Sequence, residues 1–494
     1  MKIRLLSIAV SLSILSVPAF AAPILNSVSV HSKAYQNNEA INALISPYIG
    51  KEIDIKLLQK ILSEVSRYYH DLGYISSQAF YPEQSTDKGN LLIEIAHPKL
   101  ANLNLNNLVP LNSYAMSILF NDLKSYQGQY FSEYELTSKL YKLNDLGQFS
   151  LKGTYAQSSQ PKSVDLNLTL DPVKKFNFIV FADNYGTKSS GKVRGGAQMQ
   201  VNNITNSADV LSLFYARSQE KQNNFNLSYE IPVSSHPTIL GTSLCLSDYE
   251  LADEYKFLGA QGNSLSFELY LKEPLIRTSN LKLNLQGGGR YKKLSDEFAN
   301  FDVEFKKHSL AGFISCESIY IKNKISLDGK ITLTSGQLYN DDDWDLYDEG
   351  SFALTSFDGS FNYKCSQYIS IRDELSWQIG SHDLESSERF VPVGADKLSA
   401  YDSNIISADS GIFNSASLEI TPFNQLNIKL SPHFDSAYAT ESDRSEKLFG
   451  AGLRIAYQKG GFFISSSFDF PVGHKPCSDV DDFKIFLRTG FNYA

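Results

Sequence analysis

The chain has 494 residues, of which 42% are hydrophobic and 12% are aromatic, and it carries a formal net charge of −9. This length exceeds one ordinary domain, and the acidic balance excludes a nucleic-acid binder that works through positive charge. The apolar content is too low for a helical membrane protein, but it is compatible with strands whose lipid-facing and water-facing residues alternate.

The N-terminal residues predict a secretory signal peptide over residues 1–21. A continuous apolar run, Leu5–Val17, follows Lys2 and Arg4 and precedes the small-x-small sequence Ala19–Ala21. The run is shorter than the ~20 residues that a membrane-spanning helix needs. We therefore expect cleavage, and export of the mature protein beyond an inner membrane.

Residues 22–173 predict two small α/β modules, over 22–100 and 101–173, because helical and strand periodicities follow one another there. In the first module the expected elements are a strand around Val28 and Val30, helices Glu39–Ser46 and Ile53–Asp71, and strands Tyr74–Phe80 and Leu91–Ala96. In the second they are helices Ser113–Leu123 and Glu133–Asn144, and strands Phe149–Ala156 and Val164–Leu170.

Residues 174–494 predict a transmembrane antiparallel β-barrel. In this region short segments alternate apolar and polar residues one by one, as in Phe225–Ile231, and Gly, Asn, Asp and Ser turns separate them. One strand face can then meet lipid while the other meets a wet lumen. Counting gives about sixteen strands, an even number as bacterial barrels require. With both barrel ends on the periplasmic side, Gly380–Gly411 is the sixth outward connection.

The histidines and cysteines of the sequence do not indicate an enzyme. The histidines, including His236, His308 and His433, lie in no nucleophile motif, and the four cysteines have no metal-ligand spacing. We expect no catalytic residue, no metal ligand and no cofactor. The acidic stretch Asp341–Glu349 around Trp344 reads as an extracellular loop, with a cation or partner site as the alternative.

Several stretches resemble a known family. Residues 24–100 resemble the polypeptide-transport-associated (POTRA) domain of the two-partner secretion transporters, also called hemolysin secretion/activation proteins. The matching stretches there are Tyr69–Ile75, Tyr81–Gln84 and Gly89–Ile95. In the barrel they are Asp183–Gly191, Asn202–Ile204, Leu227–Pro232 and Glu273–Arg277.

The resemblance implies an outer-membrane transporter. Its partner would be one large secreted protein with an N-terminal secretion domain, and periplasmic POTRA modules would capture this protein before it crosses the lumen. No nucleic acid is expected as a partner. The family often has a helix that plugs the pore; this chain has almost no room for one before Val28, so we expect the loops alone to close the pore.

The sixth connection departs from the family. Members carry a Val-Arg-Gly-Tyr or Val-Arg-Gly-Phe tip whose arginine pairs with an aspartate of the barrel wall. The corresponding tip here is Leu398, Ser399, Ala400 and Tyr401, so that serine replaces the arginine, while Asp435 matches the aspartate. Asp435 is expected to stay solvated or to pair with Lys397. The chain then reads as a transporter with an altered loop anchor, or as a relative that has lost secretion activity.

Two strands are candidate sites for cargo capture by β-augmentation, in which an extended peptide adds a strand to a sheet edge. The first includes Tyr74, Ile75 and Phe80, and the second Phe149 and Leu151. Edges covered by a neighbouring module are the alternative.

The last predicted strand, 482–493, has Phe483, Ile485, Leu487, Phe491 and Tyr493 on one face. It resembles the C-terminal signal for barrel assembly, although Ala494 follows Tyr493 where the signal has a terminal aromatic residue. The resemblance implies outer-membrane lipid and the barrel assembly machinery as partners. An insertase of the same superfamily remains the alternative function.

Overall fold

A computed structural model describes residues 23–86, 88–187, 189–220, 222–251, 257, 259–342, 349–381, 383–422, 427–441, 444–473, 475–476 and 480–493. The predicted signal peptide, Asp343–Asp345, Asp348 and Cys477 lie outside these residues. In the part of the chain just delimited, no helix is both long enough and apolar enough to cross a membrane.

The first small sheet lies against two helices. The elements are β1 (Ser27–His31), α1 (Asn38–Ile45), α2 (Ile55–Asp71), β2 (Gln78–Phe80) and β3 (Asn90–Ala96). The strand order is β1-β3-β2, so β1 and β2 are both edges. The Asp54 side chain caps α2 by accepting from Leu57 N, and the buried face of α2 carries Ile61, Val65 and Tyr69.

The strand predicted over Tyr74–Phe80 is wrong in its first half, because β2 begins at Gln78. Gly73 ends the preceding helix with φ +92°, and Ser77 N then donates to Tyr74 O at 3.0 Å. Tyr74 and Ile75 therefore lie in a turn. Glycine is favoured at a positive φ and commonly ends a helix there. The turn that follows Gly73 contains Tyr74 and Ile75, which apolar and polar alternation assigns to a strand.

The second small sheet has the order β4-β6-β5. Its elements are β4 (Lys99–Asn107), α3 (Ser113–Lys124), α4 (Glu133–Asn144), β5 (Phe149–Gln157) and β6 (Ser163–Pro172). The sequence did not predict β4, in which asparagines alternate with apolar residues. Asn104 Nδ2 donates to Asn167 Oδ1 of β6 at 2.9 Å, so a cross-strand amide pair takes the place of an apolar or β-branched pair.

The described residues form two compact units, one of residues 23–102, 126–135 and 157–165, the other of residues 103–125, 136–156 and 166–493. The predicted boundary at residues 100 and 101 falls inside β4. The division into modules at 22–100, 101–173 and 174–494 stays a prediction.

Sixteen antiparallel strands, β7–β22, close into a barrel, which confirms the predicted strand number. Their bounds are Phe176–Asp183, Arg194–Asn202, Val210–Ser218, Asn223–Pro232, Ile239–Glu250, Ala260–Arg277, Leu281–Phe298, Val303–Lys322, Ile325–Asn340, Gly350–Lys364, Ile369–Gly380, Ser410–Ile420, Ile428–Glu441, Arg444–Lys459, Phe462–Val472 and Lys484–Tyr493. β12 continues past Pro274 to Arg277, because a register shift between Pro274 and Ile276 lets pairing resume.

The ring closes at a short seam between β22 and β7. Arg488–Tyr493 pair with Phe178–Asp183, six residue pairs in all. The Asn184 side chain lengthens this seam, because its Nδ2 donates to Ile485 O at 2.9 Å and its Oδ1 accepts from Leu487 N at 2.7 Å. The backbone N–H of Asn184 also donates to Leu487 O at 3.2 Å, so this residue extends the pairing beyond the end of β7.

His97 lies after β3 and is 5% exposed. Its Nε2 is 2.6 Å from Ser32 Oγ and its Nδ1 is 2.7 Å from Ser77 Oγ. Tyr69 and Tyr74 pack edge-on against the ring, with centroids at 5.3 and 5.2 Å. Burial lowers the pKa of the His97 imidazole from 6.5 to about 4.

The first module should lose stability on mild acidification. Between pH 6.5 and about 4 the unfolded chain binds a proton at His97 that the folded module excludes, so the stability present above pH 6.5 falls as the pH approaches 4. Hydrogen exchange of β3, corrected for intrinsic rates, should therefore speed up over this range in the full chain.

In the His97→Gln variant this pH dependence should be lost, whereas in the control variant His31→Gln, at an exposed position, it should persist. Identical pH profiles for the wild-type chain and His97→Gln would contradict the assignment.

Candidate functional site

The connection between β17 and β18, residues 381–409, is the sixth outward connection, as predicted, and we call it loop six. Its tip is buried: Leu398, Ser399, Ala400 and Tyr401 are 0%, 0%, 1% and 0% exposed. The tip packs on Phe413, Ala437 and Leu448 of β18, β19 and β20. Loop six is therefore seated against the barrel wall without the arginine.

The tip is held chiefly by apolar packing. Leu398, Ala400 and Tyr401 form a core cluster with Phe390 and Val393 of the same loop. The Tyr401 hydroxyl donates to the carbonyl of Phe449 at 3.2 Å. Burying these apolar side chains is favourable without a charged partner. The tip therefore needs no ion pair to stay seated.

A glycine in the wall makes room for the tip. Gly450 of β20 pairs with Asp435 of β19, and a Cβ on Gly450 would lie 3.0 Å from the Cβ of Ala400. That separation is shorter than ordinary carbon–carbon contact. The seated position of the tip thus depends on the missing side chain at residue 450.

The tip also leaves two polar atoms without a partner. Among the described residues, no hydrogen bond reaches Ser399 Oγ or Asp435 Oδ1, and both atoms are buried. Asp435 is 1% exposed, so the expectation that it stays solvated is wrong. The expected pairing with Lys397 is wrong as well, because the Lys397 ammonium lies over the Phe390 ring at 4.5 Å.

The basic side chains near Asp435 belong to the wall itself. His433 Nε2 lies 3.7 Å and Arg454 Nη2 4.0 Å from Asp435 Oδ2. His433 is shared, since its Nε2 is 2.9 Å from Asp469 Oδ1. Asp435 is thus partly compensated at one oxygen, while its other oxygen has no hydrogen-bond partner among the described residues.

The sequence did not predict the contact between His433 and Asp469. Gly452 lies between them in the ladder, and a Cβ there would be 2.3 Å from Asp469 Oδ1 and 2.8 Å from His433 Cε1. The pair can therefore form only across a glycine. The two lumen-facing glycines of β20, at 450 and 452, were the signal in the sequence that side chains approach this strand closely.

The residues proposed for cargo capture divide by exposure. Ile75 is 61% and Phe80 37% exposed, whereas Phe149 and Leu151 are 1% and 9% exposed. β2 and β5 are both sheet edges. The side chains of Phe149 and Leu151 fill the core of their module. A cargo strand could therefore contact only the backbone of β5 and the exposed residues 152–157.

The acidic cluster is described in part. Asp341 Oδ1 lies 2.7 Å from His308 Nδ1, and Glu349 Oε1 accepts from Asn340 N at 2.7 Å. Within the described residues no group of three or more histidine, cysteine, aspartate or glutamate side chains is arranged to hold a metal ion. The described acidic side chains thus take part in local pairing at the ends of strands.

Comparison with known proteins identifies the family. The family model described as haemolysin secretion/activation protein ShlB/FhaC/HecB matches residues 162–456, and the ShlB-type POTRA domain matches residues 24–97. The chain belongs to this family. As a haemolysin secretion/activation protein it is a protein of the outer membrane, with its POTRA modules in the periplasm.

Named relatives are similar to this chain at low sequence identity. The heme/hemopexin transporter protein HuxB of Haemophilus influenzae is 23% identical over 377 residues, which cover 74% of this chain and 66% of HuxB. The matched region thus spans just under two thirds of that relative.

Two solved structures show the same fold. CdiB from Escherichia coli superposes with a TM-score of 0.82 at 17% identity, and covers 98% of this chain and 93% of its own. CdiB from Acinetobacter baumannii superposes with a TM-score of 0.77 at 18% identity, and the match covers 97% of this chain and 91% of that CdiB chain.

Placing an arginine at the tip, as Ser399→Arg, should strengthen the attachment of loop six. A guanidinium can donate to the unpartnered oxygen of Asp435, and a hydrogen bond to a charged group contributes about 1.5–3 kcal/mol. Proteolysis of the loop in outer-membrane vesicles should slow roughly tenfold for each 1.4 kcal/mol gained. The double variant Ser399→Arg/Asp435→Asn should lose the gain; unchanged protease sensitivity in the single variant would count against the pairing.

Filling the space at Gly450 should unseat the tip. In Gly450→Val the added carbons overlap Ala400, and overpacking of this kind costs about 1–3 kcal/mol. Single-channel recordings of the purified chain should then show a larger conductance. Gly350→Val is the matched control, since nothing lies within 4 Å of its added Cβ. Equal conductance in the two variants would mean that the tip does not depend on the gap.

Proposed function

We propose that this chain secretes one large partner exoprotein, with an N-terminal secretion domain, through its barrel after capture by the periplasmic modules. Family membership supports this proposal, and the name of its relative HuxB describes a transporter. The partner is defined by its chemistry: an extended, unfolded chain long enough to thread the barrel.

The observation that carries the proposal is a closed barrel with loop six seated in it. Ser415, Ser431 and Asp469 lie on the buried side of the alternating strands, where the lumen has polar walls. Polar walls suit the passage of an extended backbone, which exposes its own N–H and C=O groups. A seated loop keeps the lumen closed when no cargo is present. Gated passage therefore fits this arrangement better than a permanently open pore.

Capture is proposed to use sheet edges. β5 ends its sheet, and residues 152–157 are exposed. A strand added there would gain backbone hydrogen bonds without demanding a particular sequence, which suits a cargo recognised while unfolded. On β2 the exposed Phe80 offers an apolar contact beside a shorter edge.

The outer surface of the barrel supports the other proposed partners. On β22, Ile485, Leu487, Phe491 and Tyr493 are 46%, 44%, 40% and 46% exposed and alternate with less exposed residues. Side chains of this kind on one strand face fit outer-membrane lipid. The same strand is the proposed signal for the barrel assembly machinery.

The function is tested by comparing a deletion strain with the same strain complemented by this chain. Loss of one or two large proteins from the medium, restored on complementation, would support a dedicated transporter. Broad depletion of other barrels from the outer membrane would instead mean an insertase, and no change would mean a pore that has lost secretion activity.

Proline substitutions in β5 test the capture edge. Successive strand residues direct their N–H groups to opposite sides, so of Thr154 and Tyr155 one faces the open edge and the other faces β6. Proline at the open position removes a donor for the cargo and spares the sheet. Each lost hydrogen bond contributes about 0.5–1.5 kcal/mol, so cargo binding should fall by roughly twofold to tenfold.

Alanine at the same two positions is the matched control, since it keeps the N–H group. Hydrogen exchange of β6 identifies the proline variant whose sheet is intact. Wild-type secretion by that variant would exclude β5 as the capture edge.

A further inference from the structure

We propose that loop six is held closed by a buried ion-pair strap on its descending limb, so that Glu385 and Glu388 position the loop. This inference rests on the proposed function, since it concerns the gating of the same lumen. The strap comprises Glu385 and Glu388 of the loop with Lys307, Arg290 and Lys292 of the wall.

The first pair joins the loop to β14. Lys307 Nζ lies 3.0 Å from Glu385 Oε1, and the two side chains are 1% and 5% exposed. Asp296 of β13 lies 3.9 Å from the same ammonium. A lysine so fully buried requires carboxylate partners, because an uncompensated charge is very costly there.

The second group joins the loop to β13. Glu388 accepts from Arg290 Nη2 at 2.7 and 2.8 Å and from Lys292 Nζ at 2.7 Å, and its side chain is 7% exposed. Lys292 Nζ also reaches Ser387 Oγ at 2.8 Å. The wall thus offers two cations to one carboxylate, and charge-assisted bonds of this kind are the strong ones.

The backbone of the limb is fixed at the same place. Gln378 Nε2 of β17 donates to the carbonyl of Glu388 at 2.8 Å and to that of Asp409 at 3.2 Å. Phe390 and Ala408 exchange backbone hydrogen bonds at 2.7 and 3.0 Å, an isolated β-bridge that joins the two ends of the loop. The carboxylates of the strap are therefore presented from a fixed backbone.

The positions of the partners around the ring make this a strap across the lumen. Loop six leaves the ring after β17, yet its descending limb is bonded to β13 and β14, which are the fourth and third strands before β17. After the tip, Asp402 Oδ2 lies 2.8 Å from Lys484 Nζ of β22, the fourth strand after β18. The loop is thus bonded to two separate parts of the wall.

Removing the strap from the barrel wall and removing the tip from it break different kinds of contact. The tip rests on apolar contacts and leaves Ser399 Oγ and Asp435 Oδ1 without a partner among the described residues. The strap, by contrast, contains three buried or largely buried cations. Moving the limb alone would take Glu388 from Arg290 and Lys292, and would leave Lys307 with only the more distant Asp296. We infer that the position of the loop is set at the strap.

The test is single-channel recording of the purified full chain in planar bilayers. In the double variant Glu385→Gln/Glu388→Gln the shape is kept and the charge is lost, so the open-to-closed ratio should rise at least about tenfold, as expected when a buried pair is broken. The control is Glu419→Gln, which removes one carboxylate from a wall pair with Lys429, at 2.8 Å, that does not involve loop six.

A charge swap gives the second test. Lys307→Glu should open the channel, and Lys307→Glu/Glu385→Lys should close it again, since the pair is re-formed with its signs reversed. Folding of each variant is checked by the mobility shift of unboiled barrel on electrophoresis. If a wall variant fails to fold, the loop variants still decide the question, because they leave the wall unchanged.

Wild-type closure in the folded double variant would overturn the strap, and so would opening by the control to the same extent. Neither result depends on finding the cargo, because conductance is measured without it. Failure of the proposed secretion function would appear as an unchanged set of secreted proteins, and failure of the strap as an unchanged conductance. The two failures are therefore distinguishable.

Discussion

The barrel depends on one constraint: in hydrocarbon, every backbone N–H and C=O must find a partner inside the protein. A ring of sixteen antiparallel strands meets it, because each strand has a neighbour on both sides. The alternation of the sequence follows from the same constraint, since a paired strand offers one face to lipid and the other to the lumen. The ring thereby creates an interior that must be either filled or open.

Loop six occupies part of that interior by two different kinds of contact. At the tip, the apolar side chains of Leu398 and Tyr401 are buried against a wall that Gly450 leaves open. On the descending limb, Glu385 and Glu388 meet buried cations of β13 and β14. Apolar contact is not directional, whereas the ion pairs fix position. The loop therefore has a defined place although its tip carries serine at residue 399 and not arginine.

Sequence reasoning succeeded where the signal is periodic. The sixteen barrel strands and α4 were predicted because alternation and helical spacing are local properties of the chain. It failed where pairing is unusual or distant. β4 was missed because its polar positions carry asparagine, a residue that is depleted in strands, and Tyr74 was assigned to a strand although Gly73 begins a turn.

The candidate site shows the same limit more sharply. Asp435 could be named from its neighbours in the sequence, but its burial could not, because it depends on how the loop seats. The bonds from Glu388 to Arg290 and from His433 to Asp469 join residues that are far apart in the chain. The pairing of lumen-facing basic and acidic side chains depends on the closed barrel, and so it cannot be predicted from one sequence.

The ring is unequally strong around its circumference. β13 and β14 share eighteen residue pairs, whereas β22 and β7 share six, helped by the side chain of Asn184. A closed ring that is pulled apart needs to fail at one joint only, so its mechanical strength is that of the shortest ladder and not the sum of all sixteen. Lengthening the other strands adds nothing to that strength, and the first and last strands of the barrel therefore decide how much radial load the whole wall can bear.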